Sequence, residues 1–380
     1  MKSFSAAALP ILLFAGILTL WVPSRWAVSL YQAAAFSLGI AWAARYATRP
    51  YRLRSSLLIV PLALVVLWGF AQLVLGQTVY AWETRNEVLK WITNLVLFVV
   101  ALQVYAEPAP RDRFLRHVLY FGAALSVVAS LQAYSGNGRV FWLFPTGSPL
   151  VLGPFVYHNQ YAGFIELILP LAVTRAIDAR RQTMLWSAAG AVLYASVIVS
   201  ASRAGALLAT LEIAAIVFRV WRRGRTRAVA ALAGLAILFT TIAGWDLLST
   251  RLHRDESFDV RRDFLAASLA MIRDRPRMGS GLGTWSSVYP GYAVHDNGLL
   301  ANQAHSDWAQ WTAEGGVPFL LCMLSIAVIS LRRALRAPWA IGVVAVFAHS
   351  LVDYPLQRPA LAGFFFVILA VIESARPPSK

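Results

Sequence analysis

Residues 45–76 read RYATRPYRLRSSLLIVPLALVVLWGFAQLVLG: four arginines, Arg45, Arg49, Arg52 and Arg54, and then no charge from Ser55 to Gly76. A helix crossing a hydrocarbon core of ~30 Å needs roughly 20 mostly apolar residues, so the second part of this segment is long enough to span a bilayer. The first part carries the cations that such helices leave in their cytoplasmic connections. Further clusters follow other apolar runs: Arg111, Arg113 and Arg116; Arg175, Arg180 and Arg181; Arg219, Arg222, Arg223, Arg225 and Arg227; Arg332, Arg333 and Arg336. The length rule predicts about twelve spans, near residues 4–23, 27–46, 55–76, 89–106, 117–135, 159–177, 184–200, 204–221, 228–245, 306–331, 339–356 and 359–375. With these spans every cluster falls on one side, which predicts an even number of crossings and both termini in the cytoplasm.

Composition agrees with an all-α, polytopic transmembrane helical bundle. Hydrophobic residues make up 58% of the 380 and charged ones 14%, against the 45–50% and about 25% usual for soluble domains. Mean hydropathy is +0.60. The net charge of +16 is compatible with nucleic-acid binding in principle, but the arginines sit between apolar runs and no soluble region is large enough for a nucleic-acid domain. Charge therefore reports topology first and an anionic substrate second. The single cysteine, Cys322, excludes an intrachain disulfide and a multi-cysteine metal site. The run Phe4–Val22 is longer than the usual signal-peptide core and is followed by Pro23-Ser24-Arg25, a poor cleavage site, so it is expected to remain as a first span.

One connection is unlike the others. From about Asp246 to Ala304 the chain leaves the membrane, far beyond the usual 2–8 residues between bundle helices, and the charge pattern makes this loop extracytoplasmic. Within it Asp263–Arg275 is predicted as an amphipathic helix, with Phe264, Leu265, Leu269 and Ile272 near helical spacing. Pro276 stops it, and Gly279-Ser280-Gly281-Leu282-Gly283 turns the chain.

The candidate site residues gather around this loop and its flanks. Arg203, in Ser202-Arg203-Ala204-Gly205, lies at a break between two spans; it is either an interfacial arginine reaching to headgroups or a cation aimed at an anionic ligand. His305, in Ala304-His305-Ser306-Asp307, stands where the loop re-enters the membrane, with a side chain suited to a general base near neutrality. Glu314-Gly315-Gly316 follows: the carboxylate can pair with an arginine, and the glycines can permit close backbone approach or a kink. His349 and Asp353 are four residues apart in an apolar run, where one helix face would bring them together, for function or for packing. His158-Asn159-Gln160-Tyr161 opens another span, with Asn159 as a possible helix cap and Glu166 two turns in. Trp142, Trp285, Tyr289 and Tyr292 suit sugar stacking, though interfacial aromatics are more often belt residues. Asp255, Glu256 and Asp259 are a weak set for a divalent ion, and no phosphate-binding loop for ATP is present.

Taken in order, several segments resemble the O-antigen ligase and polymerase superfamily of bacterial membranes. They are Tyr157-His158-Asn159-Gln160-Tyr161-Ala162 with Leu169-Pro170-Leu171; Ser202-Arg203-Ala204-Gly205; Arg261 ahead of Met271-Ile272-Arg273-Asp274-Arg275-Pro276 and Gly279–Thr284; Ala304-His305-Ser306-Asp307 with Glu314-Gly315; and His349-Ser350-Leu351-Val352-Asp353. The likeness covers roughly 150–370, so the chain divides into residues 1–150, five spans and a following loop, and residues 151–380, the ligase-like region with the 246–304 loop. It implies an inverting glycosyltransferase that moves a glycan from undecaprenyl diphosphate to a lipid-linked core or other acceptor at the periplasmic face of the inner membrane. On that resemblance Arg203 and Arg261 bind the diphosphate, His305 is the base, and Glu314, His349, Asp353, Asn159 and His158 support them. No metal or other cofactor is implied, and the partners are the lipid-linked donor, the acceptor and membrane lipids, with no nucleic acid. Arg262 competes with Arg261 for the loop role, and Phe264 stands near the place shortly after that arginine where the family usually has an aromatic residue, often tryptophan. Polymerase and protein O-oligosaccharyltransferase activities share the same chemistry, and a polysaccharide or lipid transporter is the reading from a different class.

Overall fold

The computed structural model describes residues 2–19, 21–22, 24–179, 181–221, 234, 256–293 and 300–375. Helices dominate these residues, and the strands among them are one antiparallel pair of two-residue segments, Arg139–Val140 and Phe144–Pro145. Five helices are long and apolar enough to cross a membrane: Arg25–Thr48, Ala81–Val104, Pro108–Ser135, the pair of helices within His158–Asp178, and Asp307–Ala334. Shorter apolar helices lie at Ala6–Leu18, Ile59–Val74, Thr183–Val199, Pro338–His349 and Pro359–Ser374. Apart from residue 234, the expected span at 228–245 falls outside the described residues.

The helix Ile59–Val74 shows what its surroundings must be. Leu62, Val65 and Val66 are buried, yet Val60, Leu64, Leu67 and Val74, at helical spacing on another side, are 58%, 48%, 60% and 83% exposed. A surface helix in water is apolar on one stripe only. An apolar side chain on both sides belongs to a helix with lipid on its outer face, and the protein is a multi-pass membrane protein.

The chain forms two compact units. The first comprises residues 1–27, 104–254 and 331–349. Its core includes Phe155, packed on Tyr161 and Phe164 with ring centroids 5.5 Å away in each case. The second comprises residues 28–103, 255–330 and 350–380. There Trp91 is fully buried against Trp311, Phe319 and Phe366, at 6.3, 5.4 and 5.8 Å.

The loop helix runs Glu256–Asp274, longer at its start than the sequence predicts, and ends just ahead of Pro276 as expected. Its inward stripe is Phe264, Ala267, Ser268 and Met271, whereas Leu265 and Leu269 are 45% exposed, so two of the four apolar residues assigned to the packing face point elsewhere. Phe264 and Met271 form a small core with Trp285, Ala304 and Ala313.

Two spans depart from expectation. Residues 339–356 do not form one helix: a short 3₁₀ turn leads into Ile341–His349, and the chain then leaves helical geometry. Pro355 and Pro359 lack the N–H that a continuing helix needs and restrict the residues before them. The helix Asp307–Ala334 is broken at Gly316, whose φ of 68° and ψ of −172° lie outside the range of β-substituted residues. The break lets the Val317 N–H bond the Pro276 carbonyl at 2.8 Å. A Cβ on Gly316 would overlap the carbonyl of Arg277.

Candidate functional site

In the second unit the site is built on the start of the helix Asp307–Ala334. Ser306 closes that helix end: its hydroxyl accepts the Ala309 N–H at 3.3 Å and its carbonyl the Gln310 N–H at 3.0 Å. His305, one residue earlier, has a φ of +52°, a setting that costs free energy for any residue with a side chain. Its ring stacks on Phe264 at 5.6 Å with an 18° interplanar angle and meets Tyr354 edge-on at 4.8 Å. Nδ1 is buried without a hydrogen-bond partner among the described residues.

Beside it Arg261 Nη2 stands 3.3 Å from Asp353 Oδ2. Asp353 is 4% exposed and Arg261 32% exposed, so the guanidinium keeps an open side. Asp353 Oδ1 accepts the N–H of Tyr354 at 2.8 Å. The adjacent Arg262 is exposed, so Arg261 is the loop arginine engaged at this site. Burial pushes the His305 pKa below its ordinary value; the Asp353 carboxylate opposes that shift and the Arg261 cation adds to it. The imidazole is therefore held in its neutral form near pH 7, with a lone pair able to accept a proton.

Asp307, which sequence reasoning quoted only as part of a motif, organises the segment opposite. Its Oδ2 accepts the Ser350 hydroxyl at 2.8 Å and the Leu356 N–H at 3.0 Å, and its N–H donates to the Asp353 carbonyl at 3.0 Å. Asp307 thus ties the non-helical stretch 350–356, which carries Asp353 and Tyr354, to the helix that starts after His305. The buried Lys90, ion-paired with Glu87 and 3.1 Å from Gln357 Oε1, was also passed over. Lys90 is the one charge within the predicted span 89–106, and that was the signal for it.

Among the described residues Glu314 pairs with no arginine. Its two carboxylate oxygens accept the Gly283 N–H at 2.9 Å and the Trp285 N–H at 3.1 Å, with Gln310 Nε2 at 3.0 Å. The glycine turn points its backbone donors at this position, and those N–H groups occupy the carboxylate. At Gly279, φ is +69° and a Cβ would overlap the Glu314 carbonyl. Trp285 is neither a belt residue nor a sugar platform: it is fully buried, its indole N–H donating to Ser268 Oγ at 2.9 Å.

The first unit holds the remaining candidates. Ser202 Oγ accepts the Gly205 N–H at 3.1 Å, which caps the helix Arg203–Trp221 and places half-buried Arg203 at its first position. A cation is unfavourable at the positive end of a helix, so this placement suits an anion that both would attract. Asn159 is not a cap, because the helix begins at His158 with Tyr157 before it and no side-chain cap bond. His349 does not share a helix face with Asp353, since its helix stops at His349 itself. Its Nδ1 lies 2.7 Å from Glu166 Oε1, both residues fully buried. No cluster of three or more His, Cys, Asp or Glu that could hold a metal occurs among the described residues. The acidic set Asp255, Glu256 and Asp259 lies outside the residues whose side chains are described.

A multi-span helical membrane protein that sets a buried neutral histidine beside an arginine–carboxylate pair is equipped for proton transfer next to an anion. Residues 188–324 match the family model described as O-antigen ligase, and over that segment the chain is similar to the O-antigen ligase superfamily that its motifs resemble. The family is one of glycosyl-transferring membrane enzymes and implies lipid-linked glycan substrates. The matched segment contains Arg203, Arg261, His305 and Glu314 and ends before His349 and Asp353. No curated protein matches the chain.

Proposed function

We propose that this protein is an inverting glycosyltransferase that moves a preassembled glycan from undecaprenyl diphosphate to a lipid-linked acceptor at the periplasmic face of a bacterial inner membrane. The observation that carries the reading is the neutral, buried His305 beside the partly exposed Arg261. The acceptor hydroxyl attacks the anomeric carbon while its proton passes to the imidazole. The bond from that carbon to the diphosphate oxygen breaks, and undecaprenyl diphosphate leaves with the electron pair. Nδ1 is enclosed, so Nε2 is the nitrogen that takes the proton. Attack opposite the leaving group inverts the anomeric centre.

The leaving group gains negative charge as the bond breaks. Guanidinium groups suit it because they stay charged and bind phosphate oxygens through a rigid fork. Arg261 takes this role in the second unit, and Arg203 takes it on the strength of the resemblance and its place at a helix N-terminus. A positioned base contributes roughly 10²–10⁴-fold. Purified protein incubated with an undecaprenyl-diphosphate-linked glycan and candidate acceptors is expected to transfer, and His305→Ala to lose at least about 100-fold in rate. Equal turnover by the two proteins would remove His305 from the chemistry. The acceptor used separates ligase from polymerase and from protein glycosylation.

A further inference from the structure

Beyond the His305 site, the second unit contains a cleft of about 680 Å³ between the turn Gly76–Val79 and the segment 274–279. Two of its lining residues are Arg275 and Arg277. Both side chains are exposed, and neither guanidinium is hydrogen-bonded or ion-paired among the described residues. Asp274 lines the same cleft and accepts the Tyr292 hydroxyl through Oδ2 at 2.7 Å, so the lining carries two cations and one carboxylate.

The backbone under these two cations is fixed from several directions. The Gly279 N–H donates to the Arg275 carbonyl at 2.9 Å, and the Val317 N–H to the Pro276 carbonyl at 2.8 Å. Gln72 Nε2 donates to the Met278 carbonyl, and the Val79 N–H joins the two walls through the Ser280 carbonyl at 2.8 Å. Two cations against one carboxylate, carried on a fixed backbone, leave the cleft lining with a net positive charge that attracts an anion. On the topology proposed above, this segment lies on the side where arginines are depleted, so the positive-inside rule does not account for them.

We propose that this cleft is a binding subsite for a phosphate monoester on the acceptor glycan, which rests on the glycan-transfer reading. A dianionic monoester offers oxygens to both guanidinium forks, whereas a single carboxylate satisfies one. Gln77 on the facing wall supplies an amide of the kind that hydrogen-bonds sugar hydroxyls. The contact fixes the acceptor by a group remote from the reacting hydroxyl.

The test uses the full chain in phosphatidylcholine nanodiscs, with glucose 6-phosphate as probe, glucose as uncharged control, and no donor present. Wild type is expected to bind glucose 6-phosphate at least about tenfold more tightly than glucose, and inorganic phosphate to compete. The double variant Arg275→Gln/Arg277→Gln is expected to lose that preference while keeping its Tm, since the exchanged groups are exposed and make no internal bond. Equal binding of glucose 6-phosphate by wild type and the variant overturns the proposal. A preference that vanishes when phosphatidylglycerol is added assigns the cleft to a lipid headgroup and also overturns it. Sugar-phosphate binding without any glycan transfer would instead count against the transfer reading and leave the subsite standing.

Discussion

His305 is tuned by three influences that can be separated. Burial and the Arg261 cation favour the neutral imidazole, and the Asp353 carboxylate favours the charged one. Removing Asp353 therefore has the opposite sign to removing Arg261. In Asp353→Asn the His305 pKa is expected to fall further, and in Arg261→Gln to rise, as followed by NMR titration of the labelled imidazole. The acid limb of kcat/KM should move in the same directions, because rate rises as the base loses its proton. Shifts of one sign in both variants would mean that the two charges do not act on His305 as the geometry requires. At this scale Arg203 and His305 stand out in the sequence as ionisable groups at a boundary where such groups are costly, Arg261 is singled out by the resemblance, and the structure sets His305 and Arg261 close to the same carboxylate, Asp353. The partner of Asp353 was not legible in the sequence. Four-residue spacing suggested His349, but the spacing holds only inside a helix, and the real partner is 92 residues away.

The helix Asp307–Ala334 and the glycine turn form one joint, and its integrity is decided at Gly316. Its positive φ together with an extended ψ costs a residue with a Cβ about 1–3 kcal/mol from the backbone alone. The overlap with the Arg277 carbonyl adds to that. Gly316→Ala is expected to lower the Tm and to reduce transfer sharply, whereas Gly291→Ala, at a glycine with open space around it, should leave both unchanged. A Gly316→Ala protein with wild-type Tm would mean that the break is not needed to seat Glu314 under the turn. The kink and the turn were readable because glycines and a proline mark them. That the two meet was not readable, because the Glu314 carboxylate receives backbone N–H groups, and backbone donors leave no trace in residue identity. The same limit explains the shortened helix Ile341–His349, where Asp307 captures the following segment through a hydroxyl and an amide.

For the whole molecule, the assignment to lipid-linked glycan chemistry stands on which face of the membrane the long loop occupies. On the proposed topology the arginine clusters at 45–54, 111–116, 175–181, 219–227 and 332–336 face the cytoplasm and the loop faces the opposite side, where the proposed donor would be presented. Leu300 is 94% exposed and lies a few residues before His305. The chain's one cysteine, Cys322, can be replaced so that a new thiol is the only target. In a Cys322→Ala background, Leu300→Cys should react with a membrane-impermeant maleimide in intact cells, while Arg52→Cys, exposed within the first arginine cluster, should react only after permeabilisation. The reverse pattern would put the His305 site on the cytoplasmic face. Sugar donors there include soluble nucleotide sugars, and the need to work beside a lipid carrier, which explains why a transferase is built almost entirely from apolar helices, would no longer hold.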